Sequence, residues 1–150
     1  MQLDSKIYVA GHKGLAGAAL VRALQSDGYT NLIMRTHAEL DLTDQAATRA
    51  YLESERPDYV FLAAALVGGI HANSTMPADF ISINLAIQSN VISVAHDIGV
   101  KRLLYFGSNC AYPRESDQPM KEEYLHTGHL EPTNEWFAVA KLAGMAMVDA

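Results

Sequence analysis

Four short apolar segments, each followed by a connection with room for a helix, set the tightest limit on what this chain can fold into. Lys6-Ile7-Tyr8-Val9-Ala10, Asn31-Leu32-Ile33-Met34, Tyr59-Val60-Phe61-Leu62-Ala63 and Arg102-Leu103-Leu104-Tyr105-Phe106 read as strands. Strands without polar alternation are buried on both faces, and parallel neighbours need long crossovers between them. Helical periodicity fills those crossovers. It predicts a helix from Leu15 to Leu24, with a stripe of Leu15, Ala18, Ala19, Val21, Arg22 and Leu24. A second is expected to start at Thr43 as its cap and run to about Glu55, stopped by Pro57. The longest starts at Pro77 and ends near Gly99, and the last begins at about Asn134. Val67 to Met76 and Gly107 to Thr133 read as loops. The pattern is that of an α/β fold, a Rossmann-type parallel sheet with helices on both faces. With strand order 3-2-1-4, the fourth strand is a sheet edge. The last helix runs out with no glycine cap or closing turn, so residues 1–150 read as the amino-terminal part of a longer protein.

Composition narrows the functional classes. A hydrophobic share of 49% with 19% charged residues is that of a globular domain, and 150 residues suffice for one core. A formal net charge of -6 gives no reason to expect nucleic acid or an acidic membrane as partner. No apolar run reads as a membrane span, and no signal region precedes the first strand. One cysteine, Cys110, excludes an internal disulfide and fits a reducing cytoplasm. No metal site is expected.

Gly11-His12-Lys13-Gly14-Leu15-Ala16-Gly17 joins the first strand to the first helix. Glycines at such a junction permit a tight turn, close approach to a pyrophosphate, and close helix–strand packing. The helix amino terminus adds N–H groups and partial positive charge. At the end of the second strand an acidic residue would favour NAD, and a basic one NADP. Arg35 and His37 stand there, with Lys13 in the glycine loop, so NADP is the expected cofactor; a solvated basic patch is the plainer alternative. Asp41 and Leu42 are placed to face the adenine, and Ala63, Ala64 and Ala65 to let the ribose pass close to the sheet. Phe106 and Gly107, at the end of the fourth strand, complete the expected cofactor contacts.

Phe137 and Lys141 stand four residues apart, on one helix face. A tyrosine in place of Phe137 would make a Tyr-x-x-x-Lys pair, in which the ammonium holds a phenol poised for proton transfer. Around it lie Cys110-Ala111-Tyr112-Pro113 and Leu130-Glu131-Pro132-Thr133-Asn134-Glu135. Earlier come Glu39-Leu40-Asp41-Leu42, the loop Val67-Gly68-Gly69-Ile70-His71-Ala72-Asn73, Pro77-Ala78-Asp79-Phe80-Ile81 and Gln88-Ser89-Asn90-Val91-Ile92. On these segments the chain resembles the GDP-L-fucose synthases, NADP-dependent 3,5-epimerase/4-reductases of the extended short-chain dehydrogenase/reductase superfamily. The resemblance runs from Ile7 to the end and implies a GDP-4-keto-6-deoxy-mannose substrate. It implies that Ser108 bonds the 4-keto oxygen, that position 137 carries the proton-donating tyrosine, and that Lys141 binds the nicotinamide ribose. It implies Cys110 as the base of epimerisation, and His71 and Asn73 near nicotinamide or sugar.

Three positions depart from that pattern: Phe137 for tyrosine, Asn109 for a second serine, and Leu66 for a lysine. The resemblance implies that the histidine partnering the cysteine, and most of the sugar-binding surface, fall beyond residue 150. Cofactor binding is therefore expected to outlast turnover. A non-catalytic NADP-binding module and a relative acting on another 4-keto nucleotide sugar stay open as alternatives. Taken singly, Cys110 reads as a small buried hydrophobe, Phe137 and Trp136 as core filling, Lys141 as a helix lysine, and His12 as loop support. Ile81, Leu85, Gln88 and Ile92 form a stripe for core packing or a dimer face, and the superfamily resemblance implies a homodimer through the two long helices.

Overall fold

A computed structural model describes residues 1–150. By its internal contacts the chain divides into two compact units, Met1–Ala65 with Ala86–Phe106, and Leu66–Leu85 with Gly107–Ala150.

The first unit holds the sheet. Strands β1 (Ile7–Ala10), β2 (Leu32–Ile33), β3 (Tyr59–Leu62) and β4 (Arg102–Tyr105) are all parallel. They lie in the order β2-β1-β3-β4, not 3-2-1-4. The third strand lies beside β1 because β2 offers a ladder of only two residues, Ile7 against Leu32 and Tyr8 against Ile33. The other edge of β1 takes β3 over its whole length, from Ile7 opposite Tyr59 to Ala10 opposite Leu62. The fourth strand is at the edge, as expected. It is not buried on both faces, however: Arg102 and Leu104 are exposed, Leu104 by 47%.

Helices α1 (Leu15–Ser26) and α2 (Gln45–Glu55) form the first two crossovers. On one side of β1, Ile7 and Val9 pack with Leu24, Leu20, Val21 and Tyr29. The packed stripe of α1 is therefore Gly17, Leu20, Val21 and Leu24, an i, i+3, i+4, i+7 set. It excludes Leu15, which is 96% exposed, because the contact face begins at a glycine that hydrophobicity cannot rank. The cap of α2 is Asp44, whose carboxylate accepts the Ala47 N–H at 3.0 Å, rather than Thr43. Thr43 is already engaged, its N–H and hydroxyl both donating to Asp41.

The second unit contains α3 (Ile70–Thr75) where a loop was expected. Asn73 makes this turn by donating to the carbonyls of Gly68 at 2.9 Å and Gly69 at 3.1 Å. It also contains 3-10 turns at Asn109–Ala111 and Glu122–Tyr124, and α5 (Glu135–Asp149). The long helix α4 (Pro77–Asp97) gives its first turns to this unit and the rest to the first. Its buried side chains include Phe80, Asn84, Gln88, Val91 and Ala95, so the expected stripe is rotated: Ile81 and Leu85 are only partly buried. By length and composition α4 is apolar enough to cross a bilayer, contrary to the sequence reading. Its buried Asn84, Gln88 and Asn90 are hydrogen-bonded within the protein, which suits a core helix.

Candidate functional site

The glycine loop leaves β1 through Gly11, whose φ of 84° is the left-handed conformation glycine adopts without strain. A Cβ here would stand 2.6 Å from the Ala64 main-chain nitrogen and 2.8 Å from the Ala63 carbonyl carbon. The loop thus closes directly on the backbone after β3. A Cβ on Gly17 would collide with the Gly11 carbonyl oxygen, so this glycine sets how near α1 lies to the loop. Gly14 caps α1 with no side chain, donating its N–H to Gly11 at 3.0 Å. Lys13, Gly14, Leu15 and Ala16 are exposed, leaving the first turn of a 12-residue helix open to an anion. His12 keeps its Nδ1 buried without a hydrogen bond. The donor set and the absence of side chains fit the pyrophosphate of a dinucleotide.

At the end of β2, Arg35 donates from Nη1 to the Met34 carbonyl at 2.9 Å. Its guanidinium carbon lies 5.0 Å from the centre of the Tyr51 ring, and Nη2 lies 3.6 Å from Glu55. Glu39 accepts the Thr36 N–H at 2.7 Å and hydroxyl at 2.8 Å. Those bonds, with smaller help from Arg35 and Lys13, hold its carboxyl below the usual carboxylate range. His37 is exposed, its Nδ1 3.8 Å from Asp41. Asp41 is held low chiefly by the Thr43 N–H and then its hydroxyl, so this carboxylate is spent on the turn. The Leu42 side chain is 7% exposed and belongs to the core. Ala63, Ala64, Ala65 and Phe106 are partly buried, and Gly107 is exposed. Ala63 and Phe106 extend the ladder through N–H bonds to Ala10 and Leu62.

The residues expected to do chemistry lie in the second unit. Ser108 caps the turn at Asn109–Ala111, its oxygen accepting the Cys110 N–H at 3.2 Å. The Cys110 sulfur accepts from Asn134 Nδ2 at 3.1 Å and lies 3.8 Å from Asn109 Oδ1. The same turn packs against α5, which carries Phe137 and Lys141. Phe137 meets Phe80 edge-on, with centroids 6.3 Å apart. Lys141 is 5% exposed, its Nζ 5.7 Å from the centre of the Phe137 ring. Burial pulls its pKa down to about 8. Asn73 is committed to its turn, while His71 is exposed. No cluster of three or more His, Cys, Asp or Glu residues is arranged to hold a metal ion.

A family model described as NAD dependent epimerase/dehydratase matches residues 7–150. The chain belongs to that family. It is 57% identical over 150 residues, all of this chain and 46% of the relative, to the putative GDP-L-fucose synthase 2 of Arabidopsis thaliana. It is 58% identical to the GDP-L-fucose synthase 1 of the same plant, over 98% of this chain and 46% of the relative. Among solved structures, a GDP-D-glycero-L-gluco-heptose synthase from Campylobacter jejuni, solved in the presence of NADPH, superposes with a TM-score of 0.95. It is 50% identical, over 98% of this chain and 43% of that one. The chain thus spans somewhat under half the length of these members of the epimerase/dehydratase family.

Sequence reasoning missed several residues in this family member. Tyr51 and Glu55 read as ordinary helix residues, yet both flank Arg35. Asn134 marked a helix start and part of a resemblance segment, yet its side chain binds the Cys110 sulfur instead of capping α5. For Tyr51 the available signal was a tyrosine a helical turn before Glu55 in the crossover that follows β2. For Asn134 there was no such signal, since asparagine before a helix usually caps it.

Proposed function

We propose that this chain is the cofactor-binding part of an NADP-dependent nucleotide-sugar epimerase/reductase of the GDP-L-fucose synthase type. The observation that carries the reading is the glycine loop closed on the Ala63–Ala64 backbone, with the open amino terminus of α1 beside it. When bound, NADPH supplies the hydride for ketone reduction. The N–H groups of Gly14 to Gly17 bind the pyrophosphate, and Lys13, Arg35 and His37 attract the phosphate on the adenosine ribose. Ala63 to Ala65, with Phe106 and Gly107, line the cofactor's path along the strand ends. Ser108 donates to the 4-keto oxygen of the sugar. Cys110, steadied by Asn134 and Asn109, takes the proton from the carbon beside that ketone. Lys141 holds the nicotinamide ribose. The substrate is a GDP-linked 4-keto-6-deoxy sugar, as in the conversion of GDP-4-keto-6-deoxy-mannose to GDP-L-fucose.

Phe137 favours a second reading, an NADP-binding module that does not turn over. The ring packs on Phe80 and carries no hydroxyl to give the ketone its proton. Loss of a positioned general acid costs about 10²–10⁴ in rate. Titration of the 150-residue chain with NADPH and with NADH, followed by cofactor fluorescence, tests the part common to both readings. Tighter binding of NADPH is expected. Equal or tighter NADH binding overturns the NADP assignment, and binding of neither overturns the cofactor reading.

A further inference from the structure

Arg35 is seated at the end of β2, and its seat is an aromatic ring. The guanidinium carbon stands 5.0 Å from the Tyr51 centroid. Tyr51 is itself braced by Tyr8, which it meets edge-on at 5.3 Å and which is 1% exposed. The Tyr51 hydroxyl is buried and makes no hydrogen bond. An unpaired buried hydroxyl costs free energy, so what this residue contributes is its ring. Glu55 is a looser neighbour, with Oε1 3.6 Å from Arg35. Its other oxygen is 3.3 Å from the Lys6 ammonium, which also donates to the Glu55 carbonyl at 2.8 Å. The carboxylate is therefore anchored by Lys6 whether or not Arg35 stays beside it.

We infer that the Tyr51 ring positions Arg35 to read the phosphate on the adenosine ribose of the cofactor, and that Glu55 is the counter-charge this phosphate displaces. The inference rests on the cofactor reading given above. A guanidinium lying on a ring keeps its edge free, and only one of its five N–H donors is committed to Met34. A phosphate ester carries nearly two charges and three acceptor oxygens, enough to replace one loosely held carboxylate. A bare ribose hydroxyl has neither. Tyr51 and Glu55 are therefore positioning residues for discrimination between the two cofactors, not for the affinity both share.

The test is a set of dissociation constants for NADPH and NADH on wild type, Tyr51→Phe, Tyr51→Leu and Glu55→Gln, with a thermal melt of each. Tyr51→Leu should weaken NADPH about two- to five-fold and leave NADH unchanged. Tyr51→Phe keeps the ring and should match wild type. Glu55→Gln should tighten NADPH, by up to about five-fold, without changing NADH. Equal weakening of both cofactors by Tyr51→Leu, a Tyr51→Phe that behaves like it, or weaker NADPH binding by Glu55→Gln overturns the inference while sparing the cofactor reading. If Tyr51→Leu melts early, the Glu55→Gln result decides. A wild-type chain that binds neither cofactor brings down both.

Discussion

Asn84 holds Leu66 by both of that residue's main-chain groups. Its Oδ1 accepts the Leu66 N–H at 2.8 Å, and its Nδ2 donates to the Leu66 carbonyl at 3.0 Å and to Phe80 at 2.7 Å. The side chain is 3% exposed and does for Leu66 what a neighbouring strand would do. Leu66 stands where the resemblance implies a lysine, yet its backbone is the part the structure uses. Asn84→Leu should cost about 2–4 kcal/mol, since it strands a buried donor and acceptor together. Asn84→Asp should cost at least as much, because it keeps the acceptor, loses the donor and buries a charge. Urea unfolding of both variants checks the order; an Asn84→Leu chain as stable as wild type would refute the role.

The glycines separate into those that need to be glycine and those that do not. Gly11→Ala puts a Cβ 2.6 Å from main-chain atoms at a φ of 84°, so the loop or the strand end must move. The expected loss is about 1–3 kcal/mol of stability together with NADPH binding. Gly69 has nothing within 4 Å of a built Cβ and a φ of -71°. Gly69→Ala should therefore change stability by less than about 1 kcal/mol. Thermal melts of the two variants, with cofactor titration of the first, distinguish local strain from a general dislike of substitution.

Stability should peak on the alkaline side. Lys141 has its pKa pulled down to about 8 by burial, from an ordinary 10.5. Between those values the unfolded chain holds a proton that the folded chain has released, so this group makes stability rise with pH. Tyr8, Tyr51 and Tyr105 are shifted upward, in each case mainly by burial. Above pH 10 the unfolded chain loses their protons first, and stability falls. Lys101 has its pKa raised by Asp58, and that contribution too is lost at high pH. Denaturant midpoints measured from pH 7 to 11 should climb from about 8 and turn over near 10. Lys141→Met should flatten the climb and leave the fall; a climb that survives this substitution would need another source.

Much of the fold was legible because strand and helix periods differ. The four apolar runs became the four strands, and Pro57 and Pro77 bracketed their helices correctly. Strand order was not legible, since pairing depends on the two-residue length of the β2 ladder, which no local pattern reveals. The cap of α2 went to Asp44 because Asp41 had captured Thr43, a competition between neighbours with equal propensity. The same holds at the candidate site. Gly11, Gly14 and Gly17 could be placed from spacing alone, and Gly11 and Gly17 each exclude a side chain for a local reason. Tyr51, Glu55 and Asn134 make their contacts with residues distant in sequence, so residue type alone does not reveal them.

Phe137→Tyr tests how Lys141 would tune a phenol placed one helical turn before it on α5. Lys141 lies 5.7 Å from the ring centre at position 137, one helical turn away. A hydroxyl added to that ring would share the surroundings of a buried ammonium, which favours the phenolate. The two groups would titrate as a unit, with the first proton lost well below the ordinary phenol range near 10. Tyr8, Tyr51 and Tyr105 are pushed the other way by burial, so a new phenolate should stand apart from theirs. Absorbance near the phenolate band, followed against pH, should show an extra ionisation below 10 in Phe137→Tyr. That ionisation should disappear when Lys141→Met is added. If it persists, the lysine does not tune position 137; if it never appears, the ring at position 137 is too dry to ionise.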